Sequence, residues 1–209
     1  METVEAEQAI VPLWPAITKE QLIACGGNKA YAGRYVEPLN VHLPEAKITT
    51  PLRFIHFMAQ LLHESAALKR TEEYDSGAAY EGRKDLGNFK PGDGMRFKGR
   101  GLIQITGRAN YTAASKALGI DYVNNPEWME RPDDAVRVSL WYWSSRNLNR
   151  YADQDNVLAI SQIVNQGSIP KKGSKRGLPN GYAERRAHLG QCRAVFMAQP
   201  ESKPKSTNG

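Results

Sequence analysis

Apolar residues along the chain recur at the three- and four-residue spacing of α-helices, and no long stretch alternates as a surface strand does. The clearest helix is predicted over residues 50–69, where Thr50 is a suitable N-cap. Its apolar side chains recur at Phe57, Leu61 and Leu68. Further helices are predicted over residues 15–25, 110–119, 133–148, 156–165 and 182–198. The fold class is therefore predicted to be mainly α.

Three stretches lack helical periodicity. Residues 26–49 contain several helix breakers, residues 74–101 are rich in glycine, and residues 167–181 form a basic loop. Long structured loops in compact domains usually serve a function. We therefore expect residues 74–101 to border a functional site.

Length and composition indicate one globular domain. The 209 residues include 41% hydrophobic and 24% charged residues, which are ordinary values. Residues 1–197 are predicted to form a single domain with two lobes around a cleft, and residues 198–209 a disordered tail. Cys25 and Cys192 match no metal or redox spacing and are predicted to be buried free thiols.

The ends and the charge of the chain bear on location and partners. The acidic N-terminal residues do not resemble a signal peptide, and no apolar run reaches the ~20 residues of a membrane span. We therefore expect folding in a cytoplasm and no stable membrane insertion. The formal net charge of +6 favours a polyanionic partner, such as nucleic acid, anionic lipid or an acidic cell-wall polymer.

Glu64 is the most informative residue because it interrupts an apolar helical face. Leu61, Glu64 and Leu68 are spaced by three and four residues, which places a carboxylate among side chains expected in the core. An unpaired carboxylate in such surroundings keeps its proton more readily, as a general acid must. The alternative is a structural glutamate that pairs with an arginine such as Arg53 or Arg100.

The neighbouring His63 raises the question of a zinc site. The zinc motif on a helix needs a second histidine four residues later, and that position holds Ala67. We therefore predict no metal and no cofactor, and we expect His63 to be a hydrogen-bonding partner at the site.

If a general acid at Glu64 served glycoside hydrolysis, a second carboxylate would normally be needed. The downstream candidates are Glu72, Glu73, Asp75, Glu81 and Asp85. On an unbroken helix Glu73 would lie about 180° around the axis from Glu64, so it can serve only if the helix ends near residue 69 and the chain turns back. A solvated acidic turn is equally consistent with the sequence.

Two segments carry a family resemblance. Residues 58–65 read MAQLLHES, and residues 99–106 read GRGLIQIT. They resemble the motifs A-Q-x-x-H-E-S/T and G-R-G-x-I-Q-I/L-S/T of glycoside hydrolase family 19, which comprises plant-type chitinases and phage endolysins built on the same core. Further similarities extend over most of residues 50–197. The resemblance implies a lysozyme-like glycoside hydrolase fold, with two lobes around a substrate cleft.

The resemblance also implies roles for single residues. Glu64 would protonate the departing glycosidic oxygen, Thr106 would hold the attacking water, and Glu73 is similar to the second glutamate of the phage members. The positions implied to bind the substrate or to support the catalytic carboxylates are His63, Gln104, Tyr111, Asn165 and Arg185. Trp141 and Trp143 are expected to pack in the core rather than stack on sugars.

Departures from the plant pattern favour the phage branch. Ala66 and Ala67 stand where plant members have Gly-Gly, and the cysteines of the plant disulfides are missing. The leading prediction is a monomeric endolysin that hydrolyses the β-1,4 bond of bacterial peptidoglycan. It would accumulate in the host bacterial cytoplasm until a holin-type membrane pore released it to the cell wall.

Three alternatives stay open. One is a chitinase acting on chitin oligomers, and another is a non-catalytic wall-binding module. The third is a nucleic-acid-binding protein, which we do not favour because residues 168–181 have no aromatic residues among their cations.

Overall fold

The computed structural model describes residues 16–197, and the regular structure in this part is helical. Between residues 16 and 197, pairing of extended chain is limited to isolated bridges from Arg100 to Glu72 and to Ile105. The predicted tail lies outside the described residues. The α-helices are α1 (Lys19–Ala24), α2 (Val36–His42), α3 (Pro51–Glu64), α4 (Asp93–Arg96), α5 (Arg108–Leu118), α6 (Pro132–Ser145), α7 (Asn149–Ala152), α8 (Val157–Gln166) and α9 (Tyr182–Phe196). Short 3-10 helices cover Ala32–Tyr35, Ala78–Tyr80, Lys84–Leu86 and Pro126–Glu130.

Helix α3 lies at the centre of the core. Its residues 54–62 are all buried, and α9 packs along it. Trp143 of α6 contacts Phe57 edge-to-face, with ring centroids 5.3 Å apart, which confirms its predicted place in the core. Because α3 is surrounded, any polar side chain along its buried part must find a partner inside the protein.

Helix α3 ends at Glu64, one turn before the predicted end. The Ser65 hydroxyl donates to the Leu61 carbonyl oxygen (2.6 Å) and accepts from the Leu68 backbone N–H (2.9 Å). Residues 66–68 then have φ values of 49°, 63° and 66°, the left-handed region that residues other than glycine rarely adopt. This turn reverses the chain directly after Glu64, as a second carboxylate at residue 73 requires.

Helix α2 is an element that the sequence pattern missed. Pro38 lies in the stretch that was expected to be irregular, but it occupies the first turn of α2, where no intrahelical N–H is needed. Leu39 and Leu43 of this region are buried. The prediction of an irregular segment over residues 26–49 is therefore wrong.

The two cysteines are buried and free, as predicted. Cys25 follows α1 and Cys192 belongs to α9. No helix within residues 16–197 is long and apolar enough to cross a membrane.

Candidate active site

A cleft of about 380 Å³ opens at the end of α3 and collects several of the predicted site residues. The polar side chains that line it belong to α3, α5, α6 and α8, to the 3-10 helix Ala78–Tyr80 and to the irregular segment before α5. Polar residues of the lining include Glu64, Tyr80, Gln104, Thr106, Asn110 and Asn165. A mostly polar groove with both a carboxylate and amides suits a hydroxylated ligand such as a sugar.

Glu64 is held in this cleft by Arg185. An Arg185 guanidinium nitrogen donates to Glu64 Oε1 at 2.5 Å. The Arg185 side chain is fully buried, whereas that of Glu64 is 18% exposed. The carboxylate is thus anchored from the core and open to the cleft, and the expectation of an unpaired carboxylate is corrected.

The arginines first considered as partners of Glu64 are engaged elsewhere. Arg53 forms a two-pronged pair with Asp153, and Arg100 pairs with Glu130. The resemblance, in contrast, implied that Arg185 supports the carboxylates of the site, and in the structure Arg185 donates to Glu64.

His63 lies beside Glu64 on the α9 side. Its Nδ1 is 3.5 Å from a carboxylate oxygen of Glu184. Burial lowers the pKa of His63, and the positive charge of Arg185 lowers it further. A Cβ on Gly181 would lie 1.8 Å from the imidazole Cε1, so only glycine fits against this ring. The imidazole of His63 therefore packs tightly against the start of α9.

Glu73 lies on irregular chain and is partly buried. Its Oε1 accepts from the Gly99 backbone N–H at 2.7 Å, and its Oε2 accepts from the Tyr80 hydroxyl at 2.9 Å. Burial, then the hydrogen bond to Glu73, raise the pKa of Tyr80, so the phenol keeps the proton that it donates. The two donors orient the carboxylate, as the role of a general base requires.

Gly99 brings Glu73 close to the cleft residue Gln104. A Cβ on Gly99 would lie 2.9 Å from Gln104 Oε1 and 3.3 Å from the Glu73 carboxyl carbon. Gln104 itself has a φ of 57°, and its Nε2 donates to the Gly101 carbonyl oxygen at 3.0 Å. The side chains of Glu73, the predicted base, and Gln104, a predicted sugar-binding residue, therefore both pack closely against Gly99.

Thr106 presents an acceptor to the cleft. Its hydroxyl donates to the Gln104 carbonyl oxygen at 3.0 Å, so the remaining lone pairs of the oxygen can accept from a water O–H. Asn165 also lines the cleft, and its Oδ1 accepts from the Asn180 backbone N–H at 2.9 Å. These two residues lie where direct contact with a ligand is possible.

Tyr111 does not reach the cleft. Its side chain is fully buried, and its hydroxyl donates to the Lys98 carbonyl oxygen and accepts from Arg100. The implied sugar contact is therefore corrected to a structural role in holding residues 98–100. The preceding residue, Asn110, lines the cleft instead, because adjacent helical residues are rotated by about 100°.

Two aromatic residues of the cleft were not predicted as site residues. Tyr80 lies in the glycine-rich stretch, where no periodicity marked it, although that stretch was expected to border the site. Tyr142 donates its hydroxyl to the Ile163 carbonyl oxygen and follows Trp141 on α6. Its neighbours Trp141 and Trp143 were expected in the core, and Tyr142 itself carried no prediction.

The loop over residues 167–181 adjoins one end of the cleft. It begins two residues after Asn165, and the Asn180 backbone N–H donates to the Asn165 side chain. Its four cations, which we call the basic cluster, are all exposed: Lys171, Lys172, Lys175 and Arg176. The four cations thus lie on a loop whose two ends adjoin the cleft.

Comparison of the sequence with known families adds to this geometry. The family model for class I chitinases, glycoside hydrolase family 19, matches residues 57–168, which is 112 of the 209 residues. The match includes the end of α3 and the segment that carries Thr106, but it stops before Arg185.

Curated relatives share part of their length with the chain. A glycosyl hydrolase family 19 domain-containing protein of Haemophilus influenzae is 35% identical over 99 residues, 47% of this chain and 48% of that protein. Chitinase 8 of rice, Oryza sativa, is 31% identical over 137 residues, 61% of this chain and 50% of that protein. The matched part of this chain thus spans about half the length of these relatives.

Solved structures show the same fold. Chitinase C from Streptomyces griseus matches with a TM-score of 0.68 at 21% identity, covering 88% of this chain and 78% of that chain. A bacterial family 19 chitinase matches with a TM-score of 0.67 at 21% identity, covering 90% of this chain and 98% of that chain. The predicted mainly α, lysozyme-like fold is confirmed.

Proposed function

The chain belongs to glycoside hydrolase family 19, and from this premise we propose that it hydrolyses a β-1,4-linked amino-sugar polymer with Glu64 as general acid. The observation that carries the proposal is the shared cleft of Glu64 and Thr106, with Arg185 anchoring the carboxylate from the core. A glycosidase needs an acid at the departing oxygen and a positioned water on the other side of the sugar.

The proposed reaction has one proton transfer at each side of the sugar. Glu64 gives its proton to the glycosidic oxygen as the bond from that oxygen to the anomeric carbon breaks. A water molecule that donates one hydrogen bond to Thr106 attacks the anomeric carbon. Glu73 takes the second proton of this water, and the starting state returns when Glu73 releases that proton to solvent and Glu64 takes one up.

Bacterial peptidoglycan is the proposed substrate. Its stem peptides carry carboxylates, whereas chitin is neutral, and the basic cluster beside the cleft offers charge complementarity to the former alone. We further propose an endolysin that acts on the wall after release through a holin-type membrane pore. This role rests on the resemblance to the phage members.

Product analysis tests the reaction. The protein and its Glu64→Gln variant are incubated with purified peptidoglycan and, separately, with soluble chitin oligomers, and the products are identified by mass spectrometry. We expect new reducing ends from peptidoglycan with the unchanged protein only. Cleavage of chitin oligomers without cleavage of peptidoglycan would replace the proposed substrate by chitin, and equal activity of the variant would overturn the mechanism.

A charge-matched pair of variants tests the choice of polymer. Lys171→Gln with Lys172→Gln removes two cations of the basic cluster, and Lys19→Gln with Lys116→Gln removes two exposed cations from α1 and α5. We expect weaker peptidoglycan binding at low salt for the first pair alone, with the difference lost at high salt because ions screen the attraction. An equal effect of the two pairs would exclude a specific role of the basic cluster.

A further inference from the structure

Arg185 has one charged partner in its buried position. Its guanidinium donates to Glu64 Oε1 at 2.5 Å, to Gln60 Oε1 at 2.7 Å and to the Asn180 carbonyl oxygen at 3.1 Å. Of the ion pairs within residues 16–197, Arg185 takes part only in the one with Glu64. A buried cation needs a counter-charge, and Glu64 is the carboxylate that supplies it for the Arg185 guanidinium.

Gln60 is the neutral member of this group. It is fully buried on α3, four residues before Glu64, and therefore on the same helical face. Besides accepting from Arg185, it donates from Nε2 to Ser161 Oγ at 3.3 Å. Both ends of the amide are thus engaged inside the core.

Ser161 determines which end of the amide faces Arg185. Its hydroxyl donates to the Val157 carbonyl oxygen at 2.7 Å, so its oxygen can only accept from Gln60. The amide nitrogen must therefore face Ser161, and the amide oxygen must face the guanidinium. A glutamate at position 60 would have nearly the same shape but would place a second negative charge against Arg185.

We propose that Gln60 is a positioning residue for the general acid: it fixes Arg185 as a neutral acceptor and leaves the charge of the guanidinium to Glu64 alone. The inference rests on the proposed function, in which Glu64 gives up a proton. As Glu64 becomes negative during the reaction, an unshared cation beside it stabilises that charge. Gln60 acts through Arg185 and does not contact the substrate.

The other charged and titratable groups around Glu64 stay unchanged in the variants that test this inference. Those that interact with Glu64 itself are His63 on α3, Tyr142 on α6 and Arg185 on α9. Glu184 and His188 of α9 interact in turn with His63. The comparison between neutral and charged residues at position 60 therefore isolates the effect of the added carboxylate.

The decisive variant is Gln60→Glu. A second carboxylate shares Arg185 and repels Glu64, so we expect the Glu64 titration midpoint, followed by carbon-13 NMR of its side-chain carboxyl, to rise by about one unit or more. The alkaline limb of the activity–pH profile should move by the same amount, because it reports loss of the acid proton. The acid limb should stay in place.

Two further variants make the test specific. Gln154→Glu adds the same charge at an exposed turn after α7 and should leave the Glu64 midpoint unchanged. Gln60→Met keeps the volume and the charge but removes the acceptor. We expect it to lower kcat with little change in KM and no rise in the midpoint, because Arg185 loses an anchor but not its charge.

The outcomes separate this inference from the proposed function. The NMR titration uses the free protein, so its result can be interpreted even if neither polymer is cleaved. Absence of cleavage would contradict the proposed function but not this inference. An unchanged Glu64 midpoint in Gln60→Glu overturns the inference. If that variant does not fold, Gln60→Met decides: unchanged kcat with only a lower melting temperature would show that Gln60 is merely a packing residue.

Discussion

Glu64 and Glu73 lie nine residues apart in the sequence, and the structure holds them in different ways. Glu64 is the last residue of α3, whose residues 54–62 are buried, and the side chain of its partner Arg185 is fully buried. Glu73 lies on irregular chain, where one backbone N–H and the hydroxyl of Tyr80 orient it. The position of the proposed acid thus depends on the packing of two long helices, α3 and α9, whereas that of the proposed base depends on a few hydrogen bonds.

Because of this difference, we expect substitutions in the two regions to affect stability and activity to different extents. A change at the acid disturbs a buried ion pair and should weaken the whole domain. A change at the base disturbs a partly exposed segment and should affect mainly the reaction. Loops can vary without loss of the scaffold, which suits a segment that borders the substrate.

Arg185→Met should have the largest effect. It leaves Gln60 and Glu64 without a donor, and removal of one partner of a buried pair costs about 3–5 kcal/mol of unfolding free energy. Urea unfolding measures this loss, and activity should disappear with it. The control is Arg186→Met, because Arg186 is the exposed neighbour on the same helix. Equal losses in the two variants would contradict the difference between the regions.

Glu73→Gln should lower activity with little loss of stability. Without its base the reaction should slow by about 10²–10⁴-fold. The amide keeps one acceptor of the two, so the unfolding free energy should fall by no more than about 1.5 kcal/mol. Steady-state kinetics and urea unfolding of the same preparation give both values. A loss of stability as large as that of Arg185→Met would show that Glu73 is a structural residue.

Thr106→Val should have the smallest effect. The substitution keeps the volume and removes the hydroxyl, so kcat should fall about tenfold, which corresponds to ~1.4 kcal/mol, while KM stays the same. Because Thr106 and Glu73 are proposed to act on one water, the double variant should be about as slow as Glu73→Gln alone. Additive losses would mean that the two residues act on separate steps.

The long helices were predictable from the sequence, but their exact ends were less so. The pattern that placed Glu64 on α3 also extended the helix to residue 69, because apolar spacing continues through Leu68. The helix stops earlier since Ser65 uses its hydroxyl on the backbone at both sides of the turn. Side-chain capping of this kind leaves no trace in hydrophobic periodicity.

Part of the candidate site could be predicted from the sequence. The apolar pattern singled out Glu64 but suggested Arg53 or Arg100 as its partner, whereas the family resemblance pointed to Arg185, which the structure brings together with Glu64. Tyr111 and Asn110 are adjacent, and helix rotation alone decided which one faces the cleft. The role of Tyr80 depends on the fold of a glycine-rich segment, which periodicity cannot predict.

The most direct test of Glu64 as the acid uses a leaving group that needs no proton. A dinitrophenyl glycoside of the cleaved amino-sugar oligomer is compared with the natural polymer for the variants Glu64→Gln and Glu73→Gln. We predict that Glu64→Gln loses about 10²–10⁴-fold on the polymer but far less on the glycoside, and that Glu73→Gln loses equally on both. An equally large loss of Glu64→Gln on the dinitrophenyl glycoside would contradict the assignment of Glu64 as the proton donor.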